Sequence, residues 1–236
     1  MADNVIPPKP TGLRSRSARA AADAVLLVGL GRFGGSLART LVGLGTDVLA
    51  VDTSERLVQL YASDLPHVVQ ADATDPSTLR QLGAHEFGTA IVAIGAGVEP
   101  SVLATAALVD LGIPRVWAKA VTEQHARILE RVGAHRVFRP EAEMGARVAH
   151  LVSGRVLEYL SLDEGFVLAE VQAPTSFVGK ALGDIGLRAA YRVTVVCVKH
   201  AGESFTYAEA STVVQSGDLL VLSGAPDDVE QVVKLR

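Results

Sequence analysis

Apolar residues along the chain fall into two arrangements that alternate. Short unbroken runs of aliphatics, too brief for a mature helix, read as strands buried on both faces of a parallel sheet. Stretches with an apolar residue every three or four positions read as amphipathic helices. The first run, Ala24–Val28, breaks into Gly29-Leu30-Gly31-Arg32-Phe33-Gly34-Gly35, after which Leu37, Ala38, Leu41 and Val42 keep helical spacing. Strand patterns then recur at Asp47–Asp52, His67–Asp72, Ala90–Gly95, Arg115–Ala120 and Ala134–Phe138. Between them lie helical patterns over Arg56–Ser63, Ser77–Leu82, Ser101–Leu111 and Glu123–Val132. This alternation predicts a Rossmann-like, doubly wound parallel sheet with strand order 3-2-1-4-5-6.

Arg139-Pro140-Glu141 closes the sixth strand. A helical stretch follows with Met144, Val148, Leu151 and Val152 on its apolar side, and a second short helical piece is expected over Arg155–Leu160. An apolar stripe leaving an already complete fold must be buried, against a partner subunit or against its own sheet. From about Ser161 the pattern changes. Phe166–Val171, Val193–Lys199 and Asp218–Ser223 read as strands with Gly202, Gly217 and Gly224 at turns, and helices are expected at Val178–Leu182 and Asp227–Lys234. The expected organisation is a basic tail over 1–23, a nucleotide-binding domain over 24–141, crossover and dimerisation helices over 142–160, and a small α+β lobe over 161–236.

Composition narrows the function. With 236 residues, 49% hydrophobic and 20% charged, the chain has ample material for buried cores. A net charge of −4 and 5% aromatics leave no basic, aromatic-studded stripe, so nucleic acid is not an expected partner. Pro7, Pro8, Pro10, Gly12, Arg14, Arg16 and Arg19 make residues 1–23 read as a mobile basic tail. No apolar run approaches the roughly 20 residues that cross a bilayer, and a cytosolic location is expected. The single cysteine, Cys197, lies in an apolar run and reads as a small buried hydrophobe.

The candidate chemistry sits on the glycine turn. Gly29 permits the tight turn, Gly31 lets the backbone approach a pyrophosphate, and Gly34 lets helix and strand pack closely. The helix N-terminus adds free N–H groups and a positive dipole end. Asp52, about 20 residues on, stands where a carboxylate accepts from ribose hydroxyls, and it can equally serve the helix that starts beside it. An acid there disfavours a 2′-phosphate, so NAD, ATP, ADP or AMP are expected in preference to NADP. Asp72 and Ala73, at the carboxyl end of the third strand, lie where a nucleotide base is expected, with helix capping as the other role for Asp72. Gly95 ends the fourth strand, and Lys119 ends the fifth, where it either meets phosphate as a point charge or remains solvated. None of His67, His85, His125, His135, His150 and His200 is placed as a proton donor beside a nicotinamide, so an NAD-linked enzyme is the lesser reading.

The motifs Val28-Gly-Leu-Gly-Arg-Phe-Gly-Gly35, Val48-Leu-Ala-Val-Asp52, Ala71-Asp-Ala-Thr74, Ile91-Val-Ala-Ile-Gly95, Trp117-Ala-Lys-Ala120, Pro140-Glu-x-x-Met-Gly145 and Leu187-Arg-x-x-Tyr191 occur in this order. In that succession the chain resembles the KtrA/TrkA family, the cytosolic RCK (regulator of potassium conductance) subunits of bacterial potassium transporters, and within it the KtrA members. The resemblance implies a non-enzymatic, octameric gating ring that docks on the cytoplasmic side of a KtrB-like or TrkH-like membrane protein and binds ATP or ADP. NAD(H) is the alternative ligand of TrkA-type members. It further implies that Arg32 and Phe33 belong to the nucleotide site, and that Glu141 binds Ca²⁺, Mg²⁺ or Na⁺ between two subunits. The second lobe would bind cyclic di-AMP through Ile185, Leu187, Arg188 and Val193. The chain departs from the family pattern in three places: Arg139 where histidine is common, Arg192 where glycine is usual, and Tyr207-Ala208 where a proline-containing segment is usual.

Overall fold

The computed structural model describes residues 23–152, 156–163 and 165–235. The tail expected over 1–23 therefore lies, but for Asp23, outside the described residues. The chain divides into two compact units, meeting in sequence after Pro140.

In the first unit, strands β1 (Val25–Val28), β2 (Val48–Asp52), β3 (His67–Gln70), β4 (Thr89–Val92), β5 (Arg115–Lys119) and β6 (Arg136–Phe138) form one sheet in the order β3-β2-β1-β4-β5-β6. Every pairing in it is parallel. The intervening helices are α1 (Arg32–Gly43), α2 (Glu55–Tyr61), α3 (Pro76–Gln81), α4 (Val98–Asp110) and α5 (Glu123–Arg131). The expected order is thus observed, and the aliphatic runs of β1, β2 and β4 are strands with both faces covered, whereas the edge strands β3 and β6 are half-buried. Leu27, Val48, Ala50 and Ile91 pack on one face with Leu30 and Ala38. Leu26, Val28, Leu49, Val51, Ala90 and Val92 pack on the other with Leu79, Leu108 and Leu129.

The second unit holds β7 (Val156–Asp163), β8 (Phe166–Gln172), β9 (Thr194–Lys199), β10 (Thr206–Tyr207) and β11 (Leu219–Gly224), paired antiparallel in the order β10-β9-β11-β8-β7. Helices α6 (Pro140–Val152), α7 (Leu182–Ile185), α8 (Leu187–Tyr191) and α9 (Pro226–Val233) complete it. Val167, Ala169, Val171, Leu220 and Leu222 are buried with Val229 and Val232 of α9, the alternating burial of a sheet with one covered face.

Two local expectations change. Of the helical piece expected over Arg155–Leu160, Arg155 lies outside the described residues and Val156–Leu160 belong to the edge strand β7. Register shifts between Val156 and Glu158, and between Ser161 and Asp163, break its two-residue alternation and leave Leu157 and Leu160 at a spacing that imitates a helix turn. The helix expected over Val178–Leu182 is displaced. Gly179 has φ +81° and donates its N–H to the Val214 carbonyl at 2.8 Å, so the chain turns there, bridges to Val213 at Ala181 and becomes helical only at Leu182.

His125 is 1% exposed in α5; its Nδ1 accepts from the Val121 N–H at 3.3 Å, and its Nε2 has no protein partner. Burial lowers its pKa from the usual 6.5. The unfolded chain therefore binds a proton that the folded chain resists, and stability present above pH 6.5 is lost as the pH falls. The thermal midpoint is expected to drop on acidification below pH 6.5, and His125→Gln, which keeps an acceptor without titrating, to flatten that slope; equal slopes in thermal denaturation would contradict it.

Candidate functional site: the glycine turn and a cavity in the second unit

The glycine turn is shaped by close approach. Gly29 has φ +99°, and a Cβ there would lie 3.1 Å from the Ala93 carbonyl carbon. A Cβ at Gly34 would overlap the Gly29 carbonyl oxygen, so the first turn of α1 rests directly on β1. A Cβ at Gly31, by contrast, would meet nothing within 4 Å. The turn is tight where it touches its own fold and open where a ligand would approach. Gly31 caps α1 with no side-chain bond, so the first N–H groups of the helix, which have no partner within it, receive none from the cap residue's side chain. The exposed Arg32 is the first residue of α1.

Asp52 holds this arrangement. Its Oδ2 accepts from the Leu30 N–H at 2.6 Å and its Oδ1 from the Ser54 N–H at 2.8 Å. The carboxylate thus ties the glycine turn to the start of α2, whose cap is Ser54 rather than Asp52. Two charge-assisted bonds leave each oxygen a second lone pair, the capacity that a ribose hydroxyl needs.

Lys119 is buried, at 6% exposure, which excludes the solvated role. Its Nζ lies 5.5 Å from the centre of the Phe33 ring and 3.5 Å from where a Cβ on Gly95 would stand. Phe33 in turn packs its ring 5.4 Å from that of Phe138 at the end of β6. Lys119, Phe33 and Gly95 therefore gather at the carboxyl ends of β4 and β5, beside the glycine turn. The part played by Phe138 was not apparent from the sequence; its signal was an aromatic at the carboxyl end of a predicted strand.

Asp72 and Ala73 follow β3 on the same edge, Ala73 buried and Asp72 exposed. The cap of α3 is Asp75, which accepts from the Ser77 N–H at 2.8 Å; Asp72 instead accepts from the Thr74 N–H at 2.9 Å and closes the preceding turn. The capping role considered for Asp72 thus belongs to Asp75.

Glu141 belongs to the second unit, exposed in the first turn of α6 with Glu143. Among the described residues no three His, Cys, Asp or Glu side chains gather as a metal site. One chain offers Glu141 as a single ligand, which does not by itself fit a bound cation. Arg139 pairs with Glu123.

The second unit contains a cavity of about 360 Å³ whose lining includes Leu187, Arg188 and Val193. Thr194, Glu209 and Ala208, the last from the segment that departs from the family pattern, line it as well; Thr194 and Glu209 the sequence did not single out. Ile185 is not among the lining residues; it packs on the core of the lobe. Arg188 Nε donates to Thr194 Oγ1 at 3.2 Å, which orients the guanidinium at the cavity wall.

Residues 25–140 match the TrkA-N domain and residues 166–236 the TrkA-C domain. The chain is 37% identical over 206 residues to Ktr system potassium uptake protein A of Bacillus subtilis, covering 87% of this chain and 93% of that protein. This chain belongs to the KtrA/TrkA family. The Ktr system potassium uptake protein A of Vibrio alginolyticus is 34% identical over 209 residues, covering 88% of this chain and 95% of the relative. Among solved structures, the GsuK RCK domain matches with a TM-score of 0.61 at 20% identity, over 89% of this chain and 47% of that one. The GsuK channel bound to NAD matches with a TM-score of 0.63 at 20% identity, over 90% of this chain and 39% of the channel chain. These likenesses establish the RCK fold. Among the described residues no helix is long and apolar enough to cross a membrane.

Replacing Asp52 by Ala removes the acceptor of two backbone N–H groups at once. Hydrogen bonds to charged groups contribute about 1.5–3 kcal/mol each, and exposure of the freed N–H groups to water softens the loss. A net destabilisation of about 2–4 kcal/mol is expected from denaturant titration. A change within about 0.5 kcal/mol, the level of an ordinary surface substitution, would contradict the bridging role.

Proposed function

We propose that the chain is the regulatory subunit of a potassium-uptake system and that its first unit reads ATP against ADP on the glycine turn. The observation that carries this is the turn itself. It presents a helix N-terminus with no side-chain cap, an open Gly31, the exposed Arg32 and the buried Lys119 on one sheet edge. The relatives from Bacillus subtilis and Vibrio alginolyticus are named as potassium uptake proteins, and the GsuK channel, similar in fold, is known in a form bound to NAD.

In this reading Asp52 accepts from the ribose, Asp72 and Ala73 border the base, and Gly29, Gly31, Gly34 and Gly95 admit the phosphates. Lys119 sits under the phosphates beside Phe33, and Arg32 reaches the third phosphate. A ligand shifts a two-state assembly only through contacts that differ between the states, and the third phosphate is the one group that separates ATP from ADP. NAD(H) is the alternative occupant, since Asp52 suits its ribose equally.

The assembly we infer is an octameric ring of dimers on the cytoplasmic face of a KtrB-like or TrkH-like membrane protein. Its support is the apolar stripe of α6, where Met144, Val148 and Val152 are 54%, 46% and 79% exposed, an area that a second copy would cover. A cation at Glu141 would draw its remaining ligands from a second copy and from nucleotide phosphate, so no step here is routed through it. The cavity of the second unit is read as a cyclic di-AMP site. Leu187 and Val193 offer apolar contact to a base, Arg188 faces phosphate, and Glu209 provides an acceptor at the wall.

The decisive variant is Arg32→Ala, with affinities for ATP and ADP measured by displacement of a fluorescent adenine nucleotide. A lost charge-assisted contact of about 1.5–3 kcal/mol corresponds to about a tenfold to hundredfold loss for ATP, with ADP changed by about threefold or less. Equal losses for the two nucleotides would contradict the assignment of Arg32. In the same assay Glu141→Gln is expected to abolish any enhancement of ATP binding by Ca²⁺ or Mg²⁺, and an enhancement that survives would remove Glu141 from a cation site.

A further inference from the structure

Arg192, between α8 and β9, is the one non-glycine residue with positive φ among the described residues, at φ 56° and ψ 25°. A side chain in the left-handed region costs free energy that glycine avoids, and such a residue persists only where its surroundings hold it. Here the holder is Asp228. Arg192 Nη2 donates to Asp228 Oδ1 at 2.6 Å and Nε to Oδ2 at 3.1 Å, a two-point fork on one carboxylate. The Asp228 side chain, in the first turn of α9, is 8% exposed, whereas that of Arg192 is 80% exposed. A carboxylate that deeply buried needs its counter-charge, so the arginine is bound to this position by the aspartate rather than free to leave it.

The corner that Arg192 makes joins two walls of the cavity. Leu187, Arg188 and Ala189 precede it on α8, and Val193, Thr194 and Val195 follow it on and beside β9; all six line the cavity. The Arg192 N–H donates to the Arg188 carbonyl at 3.2 Å, and the Arg188 side chain reaches across the corner to Thr194. On the outer side a Cβ at Gly224 would stand 3.3 Å from the Arg192 carbonyl oxygen, so the end of β11 closes against the same turn. The angle of this corner therefore sets how far the cavity's cation stands from its opposite wall.

We infer that Arg192 is a positioning residue: clamped by Asp228, it holds the α8–β9 corner and with it Arg188, so that the cavity is preorganised for its ligand. As a statement about ligand affinity this rests on the cyclic di-AMP reading of the cavity. As a statement about the corner it stands on the geometry alone.

The test uses the full chain with Arg192→Ala, which removes the clamp and keeps a side chain on left-handed backbone, and Arg192→Lys, which keeps a charge without the fork. Cyclic di-AMP affinity is measured by calorimetry and amide hydrogen exchange of residues 187–195 by mass spectrometry, with ATP binding as the control. Arg192→Ala is expected to lower cyclic di-AMP affinity at least about tenfold and to speed exchange in that segment, with ATP affinity unchanged and Arg192→Lys in between. Asp228→Asn combined with Arg192→Ala is expected to be no worse than Arg192→Ala alone, as for two members of one interaction. Wild-type affinity and wild-type exchange in Arg192→Ala would overturn the inference. A loss of affinity without faster exchange would also overturn it, because Arg192 would then touch the ligand instead of positioning Arg188. If the wild-type chain binds no cyclic di-AMP, the ligand reading fails by itself; faster exchange in Arg192→Ala would still uphold the clamp, and unchanged exchange would refute it.

Discussion

The carboxylate of Asp52 joins the two turns on which the first unit's edge depends. By accepting from Leu30 and Ser54 it fixes the glycine turn relative to the start of α2, and the same turn is pressed against Ala93 and beneath Gly34. Three consecutive strands, β2, β1 and β4, thereby end in one rigid rim. Phosphate recognition by backbone N–H groups requires this kind of rigidity, because the donors contribute most when they need no rearrangement on binding. Lys119 belongs to the same rim. A buried ammonium beside Phe33 and Gly95 is a fixed charge at the sheet edge rather than a mobile surface one.

The second unit solves a different problem with the same means. Its sheet buries one face against α9, and the tie between Asp228 on that helix and Arg192 carries the order of the core out to the cavity wall. In both units a carboxylate in a structural role holds a turn from which a group that we propose faces the ligand projects. Local rules are broken at that turn in the second unit, where an arginine occupies left-handed backbone, and a broken local rule with a visible compensation is what functional sites tend to display.

Much of this was legible in the sequence because parallel strands buried on both faces leave unbroken aliphatic runs. Val25–Val28 and Thr89–Val92 could be read from their apolar character alone, and the direction of each crossover then follows from the handedness of βαβ units. β7 was not legible. It is an edge strand whose register shifts scramble the alternation that would have betrayed it, and its leucines at 157, 160 and 162 are exposed. The same contrast holds at the sites. Glycines declare themselves because no other residue fits, as at Gly29 and Gly34. The burial of Lys119, its company with Phe33 and Phe138, and the Arg192–Asp228 tie depend on residues distant in sequence. Thr194, Ala208 and Glu209 likewise come together only in the folded lobe.

The central claim is that the glycine turn of this KtrA/TrkA family member is an adenine-nucleotide site that distinguishes phosphate number. Calorimetric titration of the nucleotide-stripped wild-type chain with ATP, ADP and NADH tests it most directly. The account predicts that ATP and ADP each bind once per chain, compete with one another and differ in enthalpy. Binding of NADH with no heat from either ATP or ADP would contradict it.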